Sequence, residues 1–348
     1  MNINELLKQT NDLEASDLHI TVGVPPTLRI NGFLSTLDYP QLKETDTYEM
    51  LYSIMNDEQK KKFEKVKEID FSVELRNVAR FRVNVFLHRR GIGGAFRLIP
   101  DKIKSLEELG LPGSLEDFTK KSKGLILVTG PTGSGKSTTI ASMVDLINEN
   151  NRLHIITIED PIEFIHKHKN CIIDQREIGL HTNSFSYALR SALREDPDVI
   201  LVGEMRDLET IAMAVTAAET GHLVFSTLHT NSAAETVERI IDVFPTHQQR
   251  QIRVQLAESL RAVISQTLVP NIDETCRVPV VEIMQANPAI RNIIREERIH
   301  MIPSTIQSSK QQGMQSTDQC LRELYHNHII SREVALSKAV DPKYVVSY

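Results

Sequence analysis

The sequence predicts an α/β protein with a large parallel-sheet domain and a smaller N-terminal α+β domain. Two observations lead to this prediction. Beyond residue 123, short continuous apolar strands alternate with helical segments, which is the pattern of a parallel sheet covered on both faces. Before residue 100, apolar and polar residues alternate within short runs, which is typical of half-buried strands. The length of 348 residues fits about two domains.

The smaller domain is expected to cover residues 1–99. Alternating runs predict strands at 16–23 and 26–32, and a helix is expected over 45–68. The clearest strand runs from residue 80 to residue 88. In that strand Phe81, Val83, Val85 and Leu87 face one side, whereas Arg80, Arg82, Asn84 and His88 face the other. After a glycine-rich turn, residues 95–99 form a further predicted strand.

Residues 100–123 are expected to form an interdomain linker, because the segment is charged and contains Pro100, Gly110, Pro112 and Gly113. The larger domain is then expected over 124–348. Its apolar strands are predicted at 124–130, 153–159, 198–204 and 222–229, and its helices begin near residues 136, 185 and 208. From about residue 246 to residue 348 the chain is expected to be helical. In this region Leu256, Leu260, Val263, Ile264 and Leu268 share one helical face.

A phosphate-binding loop joins the first strand of the larger domain to its first helix. Residues 130–137 read Gly-Pro-Thr-Gly-Ser-Gly-Lys-Ser and match G-x-x-x-x-G-K-[ST] between a strand and a helix. Backbone N–H groups and the helix N-terminus favour phosphate there, Lys136 reaches the β- and γ-phosphates, and Ser137 offers a hydroxyl to Mg²⁺. The predicted residues for ATP are Gly130, Pro131, Thr132, Gly133, Ser134, Gly135, Lys136, Ser137 and Thr138.

Acidic residues and a histidine follow the other predicted strands. Ligands of parallel α/β sheets bind beyond the carboxyl ends of the strands, so these side chains are expected near the loop. Glu204 follows Gly203, which stands where an aspartate is usual, so Glu204 is expected to serve Mg²⁺ through water. Glu163 is the predicted base for the attacking water, with Glu159 as the alternative. His229 is placed to sense the γ-phosphate.

Between Leu75 and Pro100 lie six arginines and no acid. They are Arg76, Arg80, Arg82, Arg89, Arg90 and Arg97. Three interpretations stay open: a solvated face, a clamp acting in trans on the γ-phosphate of a neighbouring subunit, or a nucleic-acid-binding face. The net charge of −6 argues against nucleic acid as a partner. Phe81 also points away from Arg80 and Arg82, which leaves the stacking platform incomplete.

These motifs resemble the GspE/PilT family of the secretion ATPase superfamily over essentially the whole chain. The motifs that carry the resemblance are the Walker A loop at 130–137, an Asp box at 158–163, the Gly-Glu Walker B at 203–204 and a His box at 221–229. Residues 289–296 read Ala-Ile-Arg-Asn-Ile-Ile-Arg-Glu. They are similar to a signature of the pilus-retraction branch of that family, with Ile293 in place of the usual leucine.

The resemblance implies a homohexameric ATPase motor that hydrolyses ATP to retract type IV pili. Its core would be a P-loop, RecA-like domain, and its N-terminal domain would be PAS-like. ATP would lie between the two domains, approached by N-terminal arginines, among which Arg82 and Arg97 are favoured. The resemblance adds His222 of the His box to the nucleotide-binding residues. It also implies an inner-membrane platform protein similar to PilC as a partner, and a second, PilU-like motor.

Several classes of protein are disfavoured by what the sequence lacks. No apolar run is long enough to span a bilayer, and the first residues show no signal-peptide pattern. Cys171, Cys276 and Cys320 are spaced too widely for a zinc module. We therefore expect a cytoplasmic protein at the cytoplasmic face of the inner membrane, peripherally associated and without nucleic acid. The alternatives are a PilU-type accessory motor, another secretion ATPase and, less favoured, a RecA-like nucleic-acid translocase.

Overall fold

The chain divides into two units, Met1–Lys102 and Ile103–Tyr348. The computed structural model describes residues 2–30, 32–75, 78–99 and 102–347. Arg76 and Pro100, which the sequence places in the arginine cluster and in the linker, lie outside these ranges. None of the helices in the described ranges is long and apolar enough to cross a membrane.

An antiparallel sheet of six strands forms the first unit, in the order β3-β2-β1-β6-β5-β4. Its strands are β1 (Asp17–Ile20), β2 (Thr27–Ile30), β3 (Phe33–Thr36), β4 (Glu68–Leu75), β5 (Ala79–His88) and β6 (Gly91–Ile99), and its helices are α1 (Ile3–Asp12), α2 (Glu44–Ser53) and α3 (Asp57–Val66). The predicted alternation in β5 is confirmed for Phe81, Val83 and Val85, which are fully buried, and for Arg82, which is exposed. Leu87, predicted on the apolar face, is 48% exposed near the end of the strand. The buried face of the sheet therefore packs into the core of this unit.

The helix expected over 45–68 is two helices, α2 and α3. The break lies at Asn56, whose side chain accepts a hydrogen bond from the Gln59 N–H, while the Gln59 side chain accepts one from the Asn56 N–H. This reciprocal capping box satisfies backbone donors that the start of a new helix leaves without intrahelical partners. The capping pair Asn56 and Gln59, inside a run that otherwise resembles one continuous helix, is the feature of the sequence that indicates the break.

The second unit contains a seven-stranded sheet in the order β13-β12-β7-β11-β10-β8-β9. Its strands are β7 (Gly124–Thr129), β8 (His154–Glu159), β9 (Ile172–Glu177), β10 (Val199–Val202), β11 (Leu223–Leu228), β12 (Leu260–Pro270) and β13 (Arg277–Gln285). All neighbouring strands are parallel except β12 and β13. Alternate residues of β7 enter two separate apolar clusters, so the sheet is covered on both faces as predicted.

Eleven α-helices of the second unit lie within the described residues. They are α4 (Glu116–Thr119), α5 (Lys136–Asn150), α6 (Phe185–Ala192), α7 (Leu208–Thr220), α8 (Ala233–Asp242), α9 (Thr246–Ser259), α10 (Pro288–Arg295), α11 (Ile302–Ser308), α12 (Thr317–His326), α13 (Arg332–Lys338) and α14 (Pro342–Val346). Helices α5, α6 and α7 follow β7, β9 and β10 in the chain. This order gives the strand–helix alternation that the sequence predicts.

The helical assignment of the region from 246 to 348 is wrong for residues 260–270 and 277–285. These residues form the antiparallel pair β12 and β13, and β12 also pairs in parallel with β7. Val263 and Ile264, which belong to the predicted helical face, are fully buried in the sheet. A short apolar run fits a helix face and a buried strand equally well, and here the β-branched residues favoured the strand.

The linker assignment of 100–123 also needs a correction. Leu106, Leu111, Leu115 and Phe118 are buried in the apolar cluster that contains Ile126 and Val128 of the sheet. The segment from residue 103 onward is therefore part of the second unit rather than a free connection. Its glycines, prolines and charges suggested a linker, but its four spaced apolar residues are what the sheet buries.

Candidate active site

The phosphate-binding loop runs from the end of β7 into α5. Gly130 and Gly135 both have positive φ angles, of 142° and 87°. A Cβ on Gly130 would lie 2.0 Å from the Gln266 carbonyl oxygen, and a Cβ on Gly135 would lie 2.9 Å from Gln266 Nε2. Glycine is therefore required at both positions by conformation and by the close approach of β12.

Lys136 is buried at the start of α5. Its Nζ donates hydrogen bonds to the carbonyl oxygens of Gly130 (2.8 Å) and Pro131 (3.0 Å), which holds the ammonium at the mouth of the loop. Burial lowers the pKa of Lys136, whereas the carboxylates of Glu204 and Glu163 act in the opposite direction. Both carboxylates therefore lie close enough to influence this ammonium, as the strand-end rule predicts.

The remaining loop residues leave a polar cradle. Ser134 Oγ is buried and has no hydrogen-bond partner among the described residues. Pro131, Thr132 and Gly133 are exposed at the crest of the loop, and Ser137 and Thr138 are partly exposed in the first turn of α5. An unpartnered hydroxyl, a lysine and two glycines that exclude side chains fit a bound phosphate chain.

Gln266 of β12 is a contact of this loop that the sequence analysis missed. Its Nε2 donates to the Ser134 carbonyl oxygen at 2.8 Å, and its Oε1 accepts from Thr139 Oγ1 at 2.7 Å. One residue earlier, Ser265 Oγ lies 2.9 Å from Thr129 Oγ. Because residues 260–270 were assigned to a helix, nothing in the sequence placed them beside the loop.

The Asp box places Glu159 at the carboxyl end of β8. Its Oε1 accepts hydrogen bonds from Thr157 Oγ1 (2.6 Å) and Gln175 Nε2 (3.2 Å), and its carboxylate accepts one from the Glu163 N–H. Burial raises the pKa of Glu159 to about 7, although these three hydrogen bonds oppose the rise. The Asp160–Pro161 bond is cis. Glu163 itself is exposed.

Glu204 follows β10 and lies beside two basic side chains. Arg206 Nη2 lies 2.7 Å from its Oε2, and His229 Nε2 lies 3.4 Å from its Oε1. Burial opposes ionisation of Glu204, but the hydrogen bond and charge of Arg206, with His229 and Lys136, outweigh it and lower its pKa. Glu204 is therefore a carboxylate facing the loop. A pocket of about 360 Å³ adjoins Glu204, Arg206 and His229 between α7 and α8.

Gly203 explains why this sequence lacks the usual aspartate at the end of β10. A Cβ there would lie 3.2 Å from the Ile158 carbonyl oxygen and 3.3 Å from Glu159 Cα. The backbone at the end of β8 therefore leaves no room for an aspartate side chain without a shift. Glu204, the next residue, supplies the carboxylate instead.

His222 is not brought to the loop within this chain. It precedes β11, its Nδ1 lies 3.0 Å from the Ala217 carbonyl oxygen, and its own carbonyl oxygen accepts from the Gly124 N–H at the start of β7. Since β7 and β11 are parallel, this position is the edge of the sheet opposite the loop. His222 and His229 therefore lie at opposite ends of β11, with His229 at the loop side, and the assignment of His222 to nucleotide binding stays a prediction.

The favoured arginines lie in one row across the sheet of the first unit. Arg82, Arg97, Asp17 and Arg29 occupy directly opposed positions on β5, β6, β1 and β2. Arg97 Nε donates to Asp17 Oδ1 at 3.0 Å, although its side chain is 71% exposed. Arg82 is exposed and makes no ion pair with any residue in the described ranges. Asp17 therefore orients Arg97 but leaves Arg82 available.

The model of the type II/IV secretion system protein family matches residues 1–345. The chain belongs to this family. Among its known members, the type IV pilus retraction ATPase PilT of Pseudomonas aeruginosa is 52% identical over 343 residues, which are 99% of this chain and 99% of PilT. The type IV pilus ATPase PilU of the same organism is 41% identical over 97% of this chain and 89% of PilU.

The chain has the same fold as the pilus retraction motor PilT in a crystal structure with bound ADP. The TM-score is 0.92 at 49% identity, and the match covers 99% of this chain and 98% of the other. The predicted fold class, a P-loop α/β core with a smaller N-terminal α+β domain, is therefore confirmed. The resemblance drawn from the motifs is confirmed as well.

The raised pKa of Glu159 predicts how stability changes with pH. The folded chain holds a proton on Glu159 up to about pH 7, whereas an ordinary glutamate releases it near 4.5. Between pH 4.5 and pH 7 the folded state therefore binds more protons than the unfolded state. The contribution of Glu159 to the free energy of unfolding is consequently lost as the pH rises from 4.5 to 7. Melting curves should show that the melting temperature of Glu159→Gln rises relative to that of wild type between pH 5 and pH 8. A constant difference would contradict the burial of this carboxyl.

Proposed function

We propose that the chain is a P-loop ATPase that hydrolyses ATP with Mg²⁺ to power type IV pilus retraction. The observation that carries the chemistry is that Lys136, Glu204 and Glu163 converge at one edge of the sheet, beside a loop shaped for phosphate. The identity of 52% with PilT over 99% of both chains supports the biological role.

Each residue of the site has a role that follows from its position. The N–H groups of the loop and Lys136 bind the phosphates of ATP, and the residue set at the loop is the one that ATP requires. Ser137 and Glu204 supply hard oxygen ligands, which suit Mg²⁺ directly or through water. Bound Mg²⁺ would neutralise charge on the phosphates. His229, next to Glu204, is placed to respond to the γ-phosphate.

Glu163 is the proposed base for the attacking water, and Glu159 positions it. Glu163 is exposed, it follows β8 at the edge of the sheet where the loop lies, and its charge opposes the lowering of the Lys136 pKa, which supports this role. The carboxylate of Glu159 is already engaged by Thr157, Gln175 and the Glu163 N–H. A group that is held by three donors is better suited to fix the backbone of Glu163 than to accept a proton from water.

Retraction requires more than hydrolysis, and α10 is the segment proposed to serve it. This helix holds the sequence similar to the signature of the retraction branch, and it begins with Asn287 as N-cap and Pro288 in the first position. Ile290, Ile293 and Ile294 are buried, so the helix is fastened to the second unit by one apolar stripe.

The proposed assembly is a homohexamer at the cytoplasmic face of the inner membrane, bound peripherally to a platform protein similar to PilC. Arg82 and Arg97 of one subunit would act in trans on the γ-phosphate held by its neighbour, because arginine stabilises charge in phosphoryl transfer. Arg97, which Asp17 orients, would be the more constrained of the two. A second, PilU-like motor is a further proposed partner.

Retraction of labelled pili in cells tests this function. A strain lacking the chain is complemented with wild type, with Glu204→Gln or with Glu209→Gln. Glu209→Gln is the control, since Glu209 is an exposed carboxylate of α7 that pairs with Arg190 of α6. Pili should extend in all strains but retract only with wild type and Glu209→Gln. Normal retraction with Glu204→Gln, expressed at the wild-type level, would overturn the proposal.

The identity of 41% with PilU makes an accessory motor the second candidate. An accessory motor assists retraction that another ATPase can drive. Retraction that persists at reduced force in cells lacking the chain would favour this candidate. Loss of all retraction would favour the principal motor.

A further inference from the structure

We propose that Gln266 is a positioning residue that sets the shape of the phosphate-binding loop and thereby its affinity for nucleotide. This inference rests on the proposed function only in taking a nucleotide as the ligand. Gln266 does not touch the reacting atoms in this proposal. It acts through the backbone of Ser134 and through the first turns of α5.

The register of the sheet places Gln266 at the loop. Ser265 is the β12 partner of Thr129, the last residue of β7, so Gln266 lies opposite Gly130, the first residue of the loop. Its carbonyl oxygen would be 2.0 Å from a Cβ on Gly130, and its side chain is 6% exposed. The loop therefore starts directly against the backbone of β12.

The orientation of the Gln266 amide follows from its two partners. The Ser134 carbonyl oxygen only accepts, so Nε2 must donate to it at 2.8 Å. The amide oxygen is then left to accept from the Thr139 hydroxyl at 2.7 Å. The Gln266 side chain thus links the Ser134 carbonyl of the loop to Thr139 in the first turns of α5.

The Ser134 contact determines where a phosphate-binding N–H points. Ser134 C=O and Gly135 N–H belong to one peptide group, which is planar and trans, so the two bonds point in opposite directions. Because Gln266 holds the carbonyl toward β12, the Gly135 N–H is directed away from β12. In a P-loop the N–H groups point to the concave side, where they surround phosphate, and we infer that the Gly135 N–H is one of these groups.

Binding of a fluorescent ADP analogue to purified chains tests this role. Gln266→Leu removes both hydrogen bonds and should raise the Kd for the nucleotide about tenfold to a hundredfold, since two buried polar groups lose their partner. Gln266→Glu keeps the shape but sets an oxygen against the Ser134 carbonyl, and should raise Kd at least as much. The kcat at saturating ATP should fall less than threefold in either variant.

Ser265→Ala is the matched control, because it removes a buried hydrogen bond one residue away without touching the loop carbonyl. Its Kd should stay within twofold of wild type. A Kd within twofold of wild type for both Gln266 variants, or an equal rise in Ser265→Ala, would overturn the proposal. If wild type binds nucleotide but does not hydrolyse it, the proposed function fails while this inference is still decided by the binding data.

Discussion

Lys136→Ala is expected to lower ATP hydrolysis by about three orders of magnitude. The Lys136 side chain is buried, and its ammonium donates hydrogen bonds to the Gly130 and Pro131 carbonyl oxygens, so the charge is fixed at the loop. Removing a preorganised charge-stabilising donor costs about a hundredfold to a thousandfold in rate, and a full positive charge in a buried site acts at the upper end.

Phosphate release by purified protein measures this effect. Lys121→Ala is the control, since Lys121 is an exposed lysine of the same unit outside the loop. Lys121→Ala should hydrolyse ATP at the wild-type rate. Hydrolysis by Lys136→Ala within tenfold of wild type, in protein that melts at the wild-type temperature, would contradict the assignment of the loop.

Glu163→Gln is expected to lower kcat by about a hundredfold to ten-thousandfold, the range for loss of a general base. Glutamine keeps the size of the side chain and cannot accept the proton. Glu159→Gln should lower kcat by only about tenfold, because glutamine still offers an oxygen to the Glu163 N–H and to Gln175 and so keeps most of the contacts that position Glu163. The pair of substitutions thus separates the base from the residue that positions it.

Initial rates at saturating ATP decide between the two carboxylates, with nucleotide affinity measured alongside. Both variants should bind ADP as wild type does, since neither carboxylate donates to phosphate. If Glu163→Gln hydrolysed ATP normally while Glu159→Gln did not, the two roles would have to be exchanged.

The sequence predicted those parts of the site that are local or that follow from parallel strands. The loop was recognisable from its eight residues, and Glu159, Glu204 and His229 were placed beside it by the rule that strand ends converge. Arg206 was within reach of the same reasoning, because it lies two residues beyond Glu204 in a segment already assigned to the site.

The missed parts depend on contacts between distant segments. Gln266 lies 132 positions from Ser134 in the chain, and only the pairing of β12 with β7 brings them together. Gln175 likewise reaches Glu159 from the neighbouring strand β9. Neither glutamine belongs to a motif, and a polar residue in an apolar run carries no signal about its partner.

Mixing wild-type with inactive subunits tests whether ATP hydrolysis drives a ring of mutually dependent subunits. Wild-type protein is doped with rising fractions of Lys136→Ala subunits, exchange is confirmed by pull-down through a tag, and phosphate release is measured. Activity is expected to fall more steeply than the wild-type fraction, because each site needs its neighbours. A fall in strict proportion to the wild-type fraction, in subunits shown to mix, would contradict it.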